Sequence, residues 1–90
     1  NLRILHEMFE SGINDFHFII RAYDRNMIIS DITSSIIELE EIGMIAFEYD
    51  VTDSKLEAKL SINSQNKNQI KELLNRLNTI TGVQSITIGN

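Results

Sequence analysis

Hydropathy in this chain switches between a period near two and a period near three and a half, and the order of the switches leaves few folds open. From Phe16 the period is two, with Phe16, Phe18, Ile20 and Ala22 on one face and His17, Ile19, Arg21 and Tyr23 on the other. That alternation predicts a strand over 16–23 with one well-buried face. Over 27–42 the period lengthens, and Ile29, Ile32, Ile36 and Leu39 make one stripe, widened by Ile28 and Ile37. The stripe predicts a helix lying on the strand. Asn26 is its expected N-cap, and Gly43 is expected to end it with a positive φ.

Alternation then returns twice. In 45–51 Ile45, Phe47, Tyr49 and Val51 are expected inward, with Ala46, Glu48 and Asp50 outward. In 55–62 Leu56, Ala58, Leu60 and Ile62 alternate with Lys55, Glu57, Lys59 and Ser61. Only the turn at Thr52-Asp53-Ser54 separates the two runs, so they form a hairpin. A second helix over 65–80 carries Ile70, Leu73, Leu74 and Leu77 on one stripe, with Ser64 or Asn66 as its cap. Gly82 stops it, and 83–88 is a last strand. An opening segment with Leu2, Leu5 and Phe9 at helical spacing, Ile4 and Met8 beside them, ends at Ser11-Gly12. A helix this short must pack on something to persist in water.

The order after the opening helix is β-α-β-β-α-β. With right-handed crossovers it gives an α+β, ferredoxin-like sandwich: a four-stranded antiparallel sheet ordered 4-1-3-2 with two helices on one face. The expected units are a helical connector, 1–12, and a domain, 13–90. The hairpin register sets Asp50 opposite Glu57, a like-charge contact that needs a cation beside it, and Arg21 on the neighbouring strand is the expected one.

Composition narrows the chemistry. The chain has no Cys, which excludes a disulfide framework and a thiolate metal site, and its formal charge of −5 opposes nucleic acid and anionic membranes. Lys67, Lys71 and Arg76 read as a solvated helix face, as does the Glu38-Glu40-Glu41 cluster. No apolar run approaches the roughly 20 residues of a membrane helix, and no basic stretch precedes one as in a signal peptide. An RNA-binding sheet of this topology needs aromatic residues on its central strands, and 55–62 has none. A phosphate-cradling enzyme of this topology needs a Gly-rich first loop, and 24–27 has no Gly. His6 and His17 are the only histidines, with no nucleophile expected beside either. No catalytic residue, metal site or cofactor is expected.

The stretch FHFIIRAYDRNMIISDITSSI then carries a resemblance. Ala22, Asp24, Arg25, Ile28, Ile29, Asp31 and Ile32 resemble the opening of ACT domains, in particular the one that ends Rel/SpoT-family GTP pyrophosphokinases. Leu74, Leu77, Ile80, Gly82 and Val83 in LNRLNTITGVQSITI are similar to that family's ending. Together the two cover residues 16–89. The resemblance implies a non-catalytic, cytoplasmic regulatory domain of a guanosine tetraphosphate synthetase and hydrolase of the stringent response. It implies contacts with other domains of the parent, which in that family engages the ribosome, or homo-oligomerisation. Without a Met at Asn1, the chain reads as a piece of such a parent.

Two alternatives share the fold: an amino-acid-sensing ACT domain of a biosynthetic enzyme, and the cytoplasmic ACT-like tail of an MgtC-type membrane protein. The candidate ligand or interaction loop is Asp24, Arg25, Asn26, Met27 and Ile28. Met27 stands where ligand-binding ACT loops place Gly, so free amino acids are expected to bind weakly or not at all. Ile19, Tyr23, Met44 and Ala46, on the open face or edge of the sheet, are the expected interface of an oligomer.

Overall fold

A computed structural model describes residues 2–89, with side chains from Arg3 onward. Asn1, Asn90 and the Leu2 side chain, each included in the expectations above, lie outside the described residues. The elements are α1 (Leu2–Glu10), β1 (Asp15–Tyr23), α2 (Ile28–Ile37), β2 (Gly43–Thr52), β3 (Lys55–Asn63), α3 (Lys67–Thr79) and β4 (Val83–Gly89). The strands form one sheet in the order β2-β3-β1-β4, the expected arrangement read from its other edge. β1 runs antiparallel to both β3 and β4, and β2 antiparallel to β3.

One core joins the sheet to the helices. Phe16, Phe18, Ile20 and Ala22 of β1 and Leu56, Ala58, Leu60 and Ile62 of β3 are buried, each set one full alternation as expected. Against them lie Ile28, Ile32 and Ile36 of α2 and Ile70, Leu73, Leu74 and Leu77 of α3. Burying such a side chain stabilises by about 1.5–3 kcal/mol, so this two-layer contact holds the fold. Leu5 of α1 is buried in the same core, and the Phe9 ring centre lies 5.1 Å from that of Phe16. The Lys67 ammonium also donates to His6 Nδ1, tying α1 to the start of α3.

α2 departs from expectation at both ends. Asn26 does not cap it: the N-cap is Met27, at φ 70°, with no side-chain cap hydrogen bond. The helix ends at Ile37, well before Gly43, and Gly43 does not take a positive φ but opens β2 opposite Asn63. Between them Leu39 N–H donates to Ile36 O and Ile42 N–H to Leu39 O, tight turns that keep Leu39 and Ile42 buried. Helical spacing of apolar residues therefore continues past the end of the helix. At α3 the expected Asn66 cap is present, its Oδ1 accepting from Gln69 N–H at 3.0 Å.

β2 is the second departure. By register Phe47, Tyr49 and Val51 lie opposite Leu60, Ala58 and Leu56, on the expected helix side. They are not buried there: Tyr49 and Val51 are 53% and 42% exposed and Phe47 half-buried, because β2 is the edge strand and overhangs the helices. A bulge inserts Ile45 between Met44 and Ala46, leaving Ile45 exposed rather than inward. The bulge also sets Met44 opposite Ile62, on the helix side and not on the open face expected for it.

Among the described residues no helix is long and apolar enough to cross a membrane.

Candidate functional site

The loop from Asp24 to Met27 leaves the end of β1 and turns into α2. Two other turns meet it. Tyr23 N–H donates to Gly82 O and Asp24 N–H to Ser54 O, both at 2.9 Å, so the α3–β4 turn and the β2–β3 hairpin flank the loop. Gly82 has φ +100°, and a Cβ there would stand 3.4 Å from Tyr23 O and 3.6 Å from Arg25 Nε. Its role extends beyond stopping α3, because it also lets the α3–β4 turn close on the loop.

Arg25 organises this corner. Its Nε donates to Thr81 O at 2.7 Å, its Nη1 to Asn26 O at 2.8 Å and its Nη2 to Asp31 Oδ2 at 2.7 Å. One planar guanidinium therefore joins the loop, the first turn of α2 and the α3–β4 turn, a geometry its fixed fork of donors suits. Ile28 N–H donates to Arg25 O at 3.3 Å, and Ile28 packs into the core. Asp24 and Asn26 are exposed, and the Asp24 carboxylate has no hydrogen bond or ion pair among the described residues.

Met27 keeps the left-handed backbone that Gly adopts without cost, at roughly 1–2 kcal/mol for an L residue. Met27 is 58% exposed, so its side chain projects outward from the loop. The loop is braced by Arg25. Sequence reasoning missed Thr81 and Ser54 as loop neighbours. Their bonds use backbone oxygens, which leave no residue-type signal.

The other expected site residues stand apart. Ile19 is half-buried on the open face between Lys59 and Thr87, while Ala46 lies at the far edge beyond Ser61 and His17. Tyr23 is 52% exposed at the opposite end of β1. Arg21 Nε does lie 3.2 Å from Glu57 Oε2, with Asp50 opposite Glu57 as expected. His17 Nδ1 is 2.8 Å from Ser61 Oγ, a surface contact. The Glu38-Glu40-Glu41 cluster is partly engaged. Glu38 Oε1 accepts from Arg76 at 3.0 Å and Glu41 Oε2 from Asn66 at 2.6 Å. Among the described residues no group of acidic or His side chains is placed to hold a metal ion.

No family model and no curated protein sequence matches the chain. Solved structures do. The ACT domain from GTP pyrophosphokinase of Chlorobium tepidum superposes with a TM-score of 0.76 at 18% identity, covering 84% of this chain and 97% of that one. The C-terminal domain of the MgtC protein from Mycobacterium tuberculosis gives a TM-score of 0.69 at 10% identity, covering 87% of each chain. A homoserine dehydrogenase from Thiobacillus denitrificans gives 0.67 at 14% identity, over 83% of this chain and 16% of that one. With the strand order, the crossover helices and the loop at the end of β1, these likenesses give the chain the ferredoxin-like fold of an ACT domain.

Proposed function

We propose that the chain is a non-catalytic regulatory ACT domain of a Rel/SpoT-like GTP pyrophosphokinase, working in the cytoplasm in the stringent response. One observation carries this reading. Arg25, central to the sequence pattern that resembles that family, bonds at once to Asp31 of the same pattern and to Thr81 beside Gly82 of the family-like ending. The two stretches that carry the resemblance thus form one corner of the molecule. The likeness to a GTP pyrophosphokinase ACT domain over most of both chains supports the same choice.

In this role the domain acts through its surfaces, by contacts with other domains of the parent or with a second copy. The loop is a braced element of shape and not a ligand mouth, since its one guanidinium is already engaged three times. A conformational state is relayed when such contacts differ in free energy between two states of the catalytic region.

The test is enzymatic. Pyrophosphate transfer from ATP to GTP, and hydrolysis of the product, are measured in the parent chain with the domain intact, deleted, or carrying Arg25→Ala. The expected result is a parent with one or both activities, whose ratio shifts on deletion and in the same direction with Arg25→Ala. A parent with neither activity overturns the assignment.

A further inference from the structure

We propose that the free edge of β2 docks an extended, basic segment of another polypeptide, added to the sheet as a further strand. The edge is chemically open. Asp53 and Ser54 both have left-handed φ values, 53° and 64°, which makes a two-residue turn closed by a hydrogen-bonded Thr52–Lys55 pair. Bonding alternates from there, so Asp50 and Glu48 spend their backbone groups on β3. Phe47, Tyr49 and Val51 turn theirs to the outer edge.

Edge strands are ordinarily blunted by Lys, Pro or a bulge. β2 contains neither Lys nor Pro, and its bulge lies near its start at Ile45, leaving 47–51 regular. On the helix side Tyr49 and Val51 offer exposed apolar surface to alternate residues of an added strand. Backbone bonds along such an edge supply affinity, and the two rows of side chains supply selection.

The row on the open side selects for positive charge. Asp50 faces Glu57, and Arg21 is committed to Glu57 at 3.2 Å. Asp50 Oδ2 accepts from the Thr52 hydroxyl at 3.1 Å, and Lys59 stands opposite Glu48 by register, yet neither Asp50 nor Glu48 has an ion pair within 4.0 Å among the described residues. Glu48, Asp50 and Glu57 line one groove of about 350 Å³ with Tyr49 and Lys59. Lys or Arg residues of an incoming strand, alternating with apolar ones, answer both rows.

A second copy of the chain does not. A two-fold pairing of β2 centred on Glu48, Tyr49 or Asp50 sets carboxylate directly against carboxylate, which is destabilising. Centring it on Phe47 runs the pairing into the bulge at Ile45, and centring it on Val51 runs it into the Asp53-Ser54 turn. The formal charge of −5 adds repulsion between copies.

The test uses blocked heptapeptides of alternating Lys and Val, of alternating Glu and Val, and of the Lys/Val series with a central Pro. Each is titrated against the chain while amide exchange is followed by NMR. The Lys/Val peptide is expected to bind about tenfold more tightly than the Glu/Val one, from two or three changed cross-strand charge pairs. It should protect the amides of Phe47, Tyr49 and Val51. The Pro peptide should not bind, and the double variant Glu48→Lys/Asp50→Lys should reverse the preference. Equal affinity for both charge types, or protection away from β2, overturns the proposal. So does self-association in sedimentation that protects the same three amides.

Discussion

Arg25 Nη2 and Asp31 Oδ2 sit 2.7 Å apart across the loop that leads from β1 into α2, with Asp31 in the first turn of that helix. Both side chains are partly exposed, so the ion pair alone contributes at most about 1 kcal/mol. Arg25 also holds Thr81 O, and a hydrogen bond from a charged donor adds a similar amount. Arg25→Ala is expected to lower unfolding stability by about 1–2 kcal/mol, and Asp31→Asn by less than half of that. Urea denaturation of both variants checks the order. Equal losses would mean that the link to the α3–β4 turn contributes nothing.

Two asparagines at helix starts should behave differently. Asn66 caps α3 through Gln69 N–H, whereas Asn26 makes no cap bond to α2. Asn66→Ala should cost about 1 kcal/mol, and Asn26→Ala a few tenths at most. Thermal melts of the pair decide it, and a loss at Asn26 matching that at Asn66 would contradict the geometry at α2.

What the sequence made legible follows from which signals are local. The phase of β1 and β3 was readable because in each an unbroken apolar face alternates with a mostly polar one, and the central place of these strands turns that phase into burial. β2 has the same alternation, yet Tyr49 and Val51 stay exposed, since strand position in the sheet is not encoded in the strand's own pattern. The end of α2 was hidden by Leu39 and Ile42, which keep helical spacing in turns that are no longer helix. The bulge at Ile45 left no mark because the residues after it alternate cleanly. At the loop, Asp24 to Ile28 could be singled out, but the bracing of Arg25 by Thr81 depends on contact between segments far apart in the chain.

Met27→Gly should raise stability by up to about 1 kcal/mol. Relief of the left-handed strain, roughly 1–2 kcal/mol, outweighs the added freedom of Gly in the unfolded chain, roughly 0.5–1 kcal/mol. The usual penalty for Gly at a helix start does not apply, because Met27 lies outside the helix at φ 70°. Neither form should bind branched-chain amino acids, Ser or Phe in calorimetry, since the Arg25 guanidinium is already engaged by Thr81, Asn26 and Asp31. Micromolar binding to the unmodified chain, abolished by Asp24→Ala, would favour an amino-acid sensor instead.

The row Arg21–Glu57–Asp50 makes a separate forecast for the open face. Arg21 and Glu57 are each 48% exposed, so Arg21→Ala should cost well under 1 kcal/mol, and less as salt is raised. Removing the cation leaves Glu57 opposite Asp50 without relief, so Asp50→Asn should recover part of that loss. A double-mutant cycle by urea denaturation at low and high salt measures the coupling, and a cycle that closes at zero in low salt would mean the three charges act independently.

Leu5 tests whether α1 is a connector or part of the folding unit. Its side chain is 0% exposed and belongs to the same core cluster as Phe16 and Leu73. Truncating a buried Leu to Ala removes its transfer energy and leaves a cavity, which together cost about 2–5 kcal/mol. A chain this small has modest total stability, so Leu5→Ala should lower the melting temperature by many degrees. The exposed neighbour Ile4, 45% accessible, supplies the control, and Ile4→Ala should leave the melt nearly unchanged. If Leu5→Ala also leaves it unchanged, α1 only rests on a domain that begins at residue 13. If the loss appears and residues 13–90 alone melt at the temperature of Leu5→Ala or lower, the helix completes the core that β1 and α3 begin.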